Sequence, residues 1–124
     1  AADFTKLGGL TDVAFAGSVA TTDNTQTTCA AFTPLDNTTA VITATVSGHK
    51  DDHTQGLGYV LVGAFRRSGN TVTQIGVTTV VVPVKDDILW SAAFDISGTS
   101  VRVRVTGVAL TNIAWRTTAV VTVA

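Results

Sequence analysis

The densest run of chemically competent side chains is His49-Lys50-Asp51-Asp52-His53, which continues into Thr54-Gln55-Gly56. Two imidazoles four positions apart around an acidic doublet are the residue types that hold zinc or another transition metal. A second doublet, Asp86-Asp87, would join the first in a calcium site, because a hard cation collects several carboxylate oxygens. No spacing requires either site. The window is rich in turn formers and reads as an exposed loop from His49 to Gly56, with solvated histidines and carboxylates that serve turns. No cofactor is expected. As contacts for a ligand held by charge and hydrogen bonds, the candidates are His49, Lys50, Asp51, Asp52 and His53, with the adjacent pair Arg66-Arg67 as a second set.

Catalytic chemistry finds little support. Glutamate is absent from the chain, and neighbouring residues on an extended backbone point opposite ways, so neither Asp doublet makes the paired carboxylates of a glycosidase. Cys29 is the single cysteine, which excludes an internal disulfide and a multi-cysteine zinc site. No Cys-His signature surrounds it, and it reads as a small buried hydrophobe on a strand. Ser47 and Ser91 lie near His or Asp in sequence, but there is no Gly-x-Ser-x-Gly, no His-Glu-x-x-His and no phosphate-binding loop. Gly56-Leu57-Gly58 precedes a strand rather than a helix, so it is not a nucleotide fingerprint. Trp90, Trp115 and Tyr59 have faces that suit a sugar ring, yet their places inside alternating patterns make them core anchors. The expectation is a protein that is not an enzyme.

The elements that must position these residues are strands. Val101, Val103 and Val105 alternate with Arg102, Arg104 and Thr106, which puts valines on one face and guanidinium groups on the other. Trp90, Ala92, Phe94 and Ile96 share a face of the preceding strand, and Ser97-Gly98-Thr99 turns between the two. Ile113, Trp115, Ala119, Val121 and Val123 continue the pattern to the end. Upstream, strands are predicted over Asp12 to Thr21, Gln26 to Thr33 and Thr39 to Gly48, then through Tyr59, Leu61 and Phe65 with Val60 and Val62 on the opposite face. A fifth runs from Thr71 to Val82 after the hairpin signal Ser68-Gly69-Asn70, and Pro83 places its end at a sheet edge or outside the sheet. The fold class is all-β: about eight antiparallel strands in a β-sandwich, either jelly-roll-like or a Greek key and meander. Its core is expected to hold Phe15, Ile42, Val46, Tyr59, Leu61, Phe65, Trp90, Phe94, Val103, Val105 and Trp115.

The totals agree with one β domain. The chain of 124 residues is 45% hydrophobic but only 14% charged, below the roughly 25% of typical soluble domains. Thr and Val make up about a third of it, which favours pleated surfaces over long helices. Residues 1–10, with Gly8-Gly9, read as an arm or linker, and 11–124 as a single domain. A net charge of −1 with scattered basic residues offers nothing to a nucleic-acid backbone. The longest apolar run, Val80 to Val84, is too short to span a bilayer, so neither nucleic acid nor membrane insertion is expected. The opening Ala1-Ala2-Asp3, without Met or signal peptide, reads as the start of a mature product or excised domain. Asn37-Thr38-Thr39 is a glycan acceptor sequon. Val80, Val81 and Val82 alternate sides of their strand, so one core layer cannot take them all, and a homo-oligomer is expected.

The order Asp86-Asp87, Trp90, Ser97-Gly98, Val101-x-Val103-x-Val105-Thr106-Gly107 and Ile113-x-Trp115-Arg116 resembles a small β-domain of tail-fibre and other virion surface proteins of tailed bacteriophages. The turn at Thr21-Thr22-Asp23 and the strand at Gly58-Tyr59 also fit, so the likeness covers residues 20 to 123. The resemblance implies a β-sandwich displayed on the virion, commonly as a trimer, that contacts the host envelope or completes the fibre. It carries over no catalytic residue. Host surface glycan or protein, or another virion protein, are the partners it implies. The alternative is a free-standing carbohydrate-binding module, calcium-dependent if the two Asp doublets meet.

Overall fold

The computed structural model describes residues 11–124; the arm expected over 1–10 lies outside them. Eight strands follow one another: β1 (Thr11–Thr21), β2 (Thr27–Phe32), β3 (Thr38–Lys50), β4 (Gly56–Ser68), β5 (Thr71–Lys85), β6 (Ser91–Ser97), β7 (Ser100–Thr106) and β8 (Ile113–Val123). They form a five-stranded sheet of order β1-β8-β3-β4-β5 and a three-stranded sheet of order β2-β7-β6. Every pairing is antiparallel. The chain is thus the eight-stranded β-sandwich that its alternation predicts, and it combines the two topologies left open. β3-β4-β5 is a meander and β6-β7 a tight hairpin, while the other connections cross between the layers and set β8 between β1 and β3.

Period-two alternation decides what is inside. β8 is buried at Ile113, Trp115, Thr117, Ala119, Val121 and Val123 and exposed at each residue between. Trp90 and Trp115 meet at the centre with ring centroids 5.9 Å apart, and Phe65 meets Phe94 edge-on at 5.5 Å. Trp115 Nε1 donates to the Thr21 hydroxyl at 2.9 Å, which satisfies the indole inside the core. Cys29 is buried on β2 as expected, and its thiol donates to the Gly17 carbonyl at 3.6 Å. A Cβ at Gly17 would collide with the Cys29 backbone carbonyl, so glycine is what lets β1 and β2 approach.

Of the expected core, Phe15 alone is only half-buried. It lies on β1 at one margin of the large sheet and stacks on Phe32 of β2 at 5.5 Å. Ile96, on the inward face near the end of edge strand β6, is also more exposed than the alternation suggests. Both residues lack a covering neighbour on one side.

Two boundaries differ from expectation. β3 continues through His49 and Lys50, because Ala114 and Ile113 of β8 pair with them and Gly56 of β4 pairs with His49. The loop is therefore residues 51–55, and His49 and Lys50 are strand residues. β5 extends to Lys85 and carries Pro83 within it. It can do so because β5 is an edge strand, where a missing N–H need not break a ladder.

The sheets differ in width, and β5 overhangs. Val80 lies on the inward side opposite Leu61, yet it is exposed, because the three-stranded sheet does not reach over it. β5 is also irregular. Val81 is an extra residue between the pairs Val60 with Val82 and Leu61 with Val80, and residues 76–78 stand opposite Gly63 alone. Gly76, at φ 74°, makes this second bulge, and Gln74 Nε2 closes it by donating to the Thr78 hydroxyl at 2.9 Å.

Candidate functional site

The strand directions collect the loops 22–26, 51–55, 86–90 and 107–112 at one end of the sandwich, and 33–37, 69–70 and 98–99 at the other. This separates the candidates. His49, Lys50, Asp51, Asp52 and His53 are together at the first end. Arg66 and Arg67 are near the second, ten residues along β4 from Gly56, or about 33 Å at the rise of a strand.

At the first end the imidazoles of His49 and His53 stack with centroids 5.0 Å apart. The turn makes this possible: the His53 amide donates to the Lys50 carbonyl at 2.8 Å, with His53 at φ 61°. Lys50 Nζ is 3.5 Å from Asp52, and hydrogen bonds from the Thr54 hydroxyl and amide hold the Asp52 carboxyl below its usual range. Asp51 accepts from Asn112 at 3.3 Å. Asp86 accepts from the Gly56 amide and Asp87 from the Leu89 amide. Asp52 and Asp87 thus serve their own turns, while Asp51 and Asp86 tie neighbouring segments together. Among the described residues no group of three or more His, Cys, Asp or Glu is placed to hold a metal ion.

At the second end Arg67 is structural. Its guanidinium donates to the Gly69 and Pro34 carbonyls at 2.8 and 2.7 Å, and Asp36 accepts from the Gly69 amide, which ties the hairpin to the preceding loop. Arg66 is exposed on the outer face of the large sheet. Trp90, Trp115 and Tyr59 are buried, so none of them offers a platform to a sugar.

A concavity of another kind lies on that outer face. Along β8 the outward residues are Ala114, Arg116, Thr118, Val120 and Thr122, and the register sets Arg116 between Ser18 of β1 and Ser47 of β3. A depression of about 320 Å³ lies beside it, lined by Thr45, Ser47, His49, Ala114, Arg116 and Thr118 among others. A second, of about 660 Å³, shares Thr45 and Thr118 and extends the trough towards Val120. Ala20, Ala114, Ser18 and Gly58 keep the surface low around Arg116 and His49, and the space above Gly58 is empty. Among the described residues, Arg116 has no acidic partner. Arg116 is not among the charged positions singled out by the sequence. The available signal is its place at an outward position of a strand whose other outward residues are Ala, Thr and Val, but its serine neighbours come from register alone.

No protein-family description matches the sequence, and no curated protein is detectably similar to it. Among solved structures, the chain is similar to part of the tailspike protein gp49 of Acinetobacter baumannii bacteriophage Fri1, a capsular polysaccharide depolymerase. The TM-score is 0.47 at 12% identity, over 92% of this chain and 19% of that one. It is also similar to part of the Acinetobacter baumannii phage AM24 tailspike protein, with a TM-score of 0.47 at 8% identity, over 88% of this chain and 26% of that one. The chain thus spans about a fifth to a quarter of the length of either tailspike.

Proposed function

We propose that this domain is a non-enzymatic module of a bacteriophage virion surface, of tail-fibre or head-fibre type, that assembles as a homotrimer and contacts a host surface glycan or protein, or another virion protein. The sequence resemblance supplies the phage setting and the number three. The observation that carries self-association is the distribution of exposed apolar side chains. Of twelve large hydrophobic residues exposed among the described residues, eight fall between Ile75 and Ile96, on β5, β6 and their connection. Val77 and Ile88 are more than four-fifths exposed.

Spread over both sides of β5, the connection and the margin of β6, the eight expose on the order of several hundred Å² of apolar surface, whose burial against another copy is favourable at roughly 25 cal/mol per Å². That is comparable to the apolar share of a standard interface, roughly 800 Å² per partner and a little over half non-polar. The two bulges and Pro83 blunt β5 against strand addition, so the contact is made by side chains. Light scattering across a dilution series tests the proposal. The expected mass is three times 12.8 kDa, falling to the monomer in a Val77→Lys, Val84→Lys double variant that keeps the circular dichroism spectrum of the parent. A parent that is monomeric at about 10 μM would reject self-association, and a monomer that binds sugar would favour a free-standing carbohydrate-binding module.

A further inference from the structure

We infer that the trough along β8 binds an acidic polysaccharide, with one carboxylate-bearing sugar placed at Arg116. Three features of the trough point to this chemistry. The first is charge: no carboxylate is among the residues that line the two depressions, whereas Arg116 offers a planar donor fork suited to bidentate binding of one. The nearby acids Asp51 and Asp52 are engaged with Asn112 and with Thr54 and Lys50. The second is the hydroxyl lining of Thr45, Ser47 and Thr118, groups that both donate and accept and so match the hydroxyls of a sugar. The backbone there is already paired in the ladder between β3 and β8, so these side chains carry the recognition.

The third is shape. The two depressions join at Thr45 and Thr118, so the concavity is elongated and continues from the polar section into one lined by Ala14, Ala16 and Val120. A bare anion such as phosphate would leave the hydroxyls and the apolar extension unused. A chain of sugars uses all three, with its carboxylate at Arg116, its hydroxyls over the threonines and the apolar face of a neighbouring ring over the alanines.

The inference rests on the surface-contact reading above for where such a polymer comes from, and its binding is measured independently of assembly. The probes are a hyaluronan tetrasaccharide, the same tetrasaccharide with its carboxylates reduced to alcohols, N-acetylneuraminic acid, methyl glucuronide and inorganic phosphate. Each is titrated into the ¹⁵N-labelled chain, with the mass of the same samples taken by light scattering. At least one acidic sugar is expected to bind with a Kd in the millimolar range or tighter, and to shift the amides of Ser47, Ala114, Arg116 and Thr118. Carboxylate reduction and Arg116→Gln are each expected to weaken binding roughly tenfold or more, as loss of a charged hydrogen-bonded pair does. Arg66→Gln, at the far end of the same face, should leave it unchanged, and phosphate should leave these amides unshifted. Failure of every acidic sugar to bind, equal binding of the reduced tetrasaccharide, or an Arg116→Gln variant with parental affinity would overturn the site. None of these results bears on the mass of the assembly, so either proposal can fail alone.

Discussion

On the outer face of the three-stranded sheet, Arg102 and Arg104 converge on Asp95; on the outer face of the five-stranded sheet, Arg116 stands over serine, threonine and alanine. On the first face both arginines are engaged within the fold, sharing one carboxylate. Arg102 donates to both Asp95 oxygens at 2.7 Å, and Arg104 adds a contact at 3.3 Å while reaching the Gln26 carbonyl with its other nitrogen at 2.7 Å. Hydrogen bonding from Arg102 is the main reason that the Asp95 carboxyl is held below its usual range, opposed by burial and reinforced by Arg104. Similar side chains on similar strands therefore have different uses. Bound arginines knit β6, β7 and the start of β2 together, whereas an arginine without a carboxylate keeps its donors for something outside the chain.

Substitutions in the shared core should break both faces at once and give the largest effects. Trp115→Ala removes a buried ring that touches Trp90 and bonds Thr21, and should cost about 3–5 kcal/mol in urea unfolding. Gly17→Ala forces β1 away from the Cys29 carbonyl and should cost roughly 1–3 kcal/mol by the same assay.

Smaller effects separate the faces. Asp95→Asn should cost about 1 kcal/mol at pH 7, the upper part of the range for a partly exposed pair of good geometry. The folded carboxyl titrates below the ordinary value of 3.8, so its contribution is fully present above that pH and is lost as the pH falls through the lower folded value. Parent and Asp95→Asn stabilities, measured by urea unfolding at pH 7 and pH 3, should accordingly converge in acid. Arg116→Gln should change stability by less than about 0.5 kcal/mol, because no partner within the described residues is lost. A cost as large as that of Asp95→Asn would show Arg116 to be structural and erase the contrast.

Alternation was legible in the sequence because pleating is local. The period-two patterns identify which of Trp90, Phe94, Val101, Val103, Val105 and Trp115 go inside, and all six are buried. The Gly69 and Gly98 turns, both at positive φ, are equally local. The candidate site was legible only in part. The window from His49 to His53 holds its charged residues together, but Asp52 serves the turn, Asp51 reaches Asn112, and His49 and Lys50 belong to a ladder whose partners start at Ile113.

By itself, then, the sequence determined the all-β class, the strands and the division of each strand into a wet and a dry side. Tertiary structure decided which strands became neighbours and how far each sheet extended. Thr21 and Trp115, 94 residues apart, are hydrogen-bonded because β8 returns beside β1, and that same return carries Arg116 between Ser18 and Ser47. Five strands against three leave β5 overhanging with its valines exposed. A backbone pattern specifies the direction of its own side chains, but it holds no information about which distant strand will satisfy its hydrogen bonds. That choice is made by the packing of the whole core.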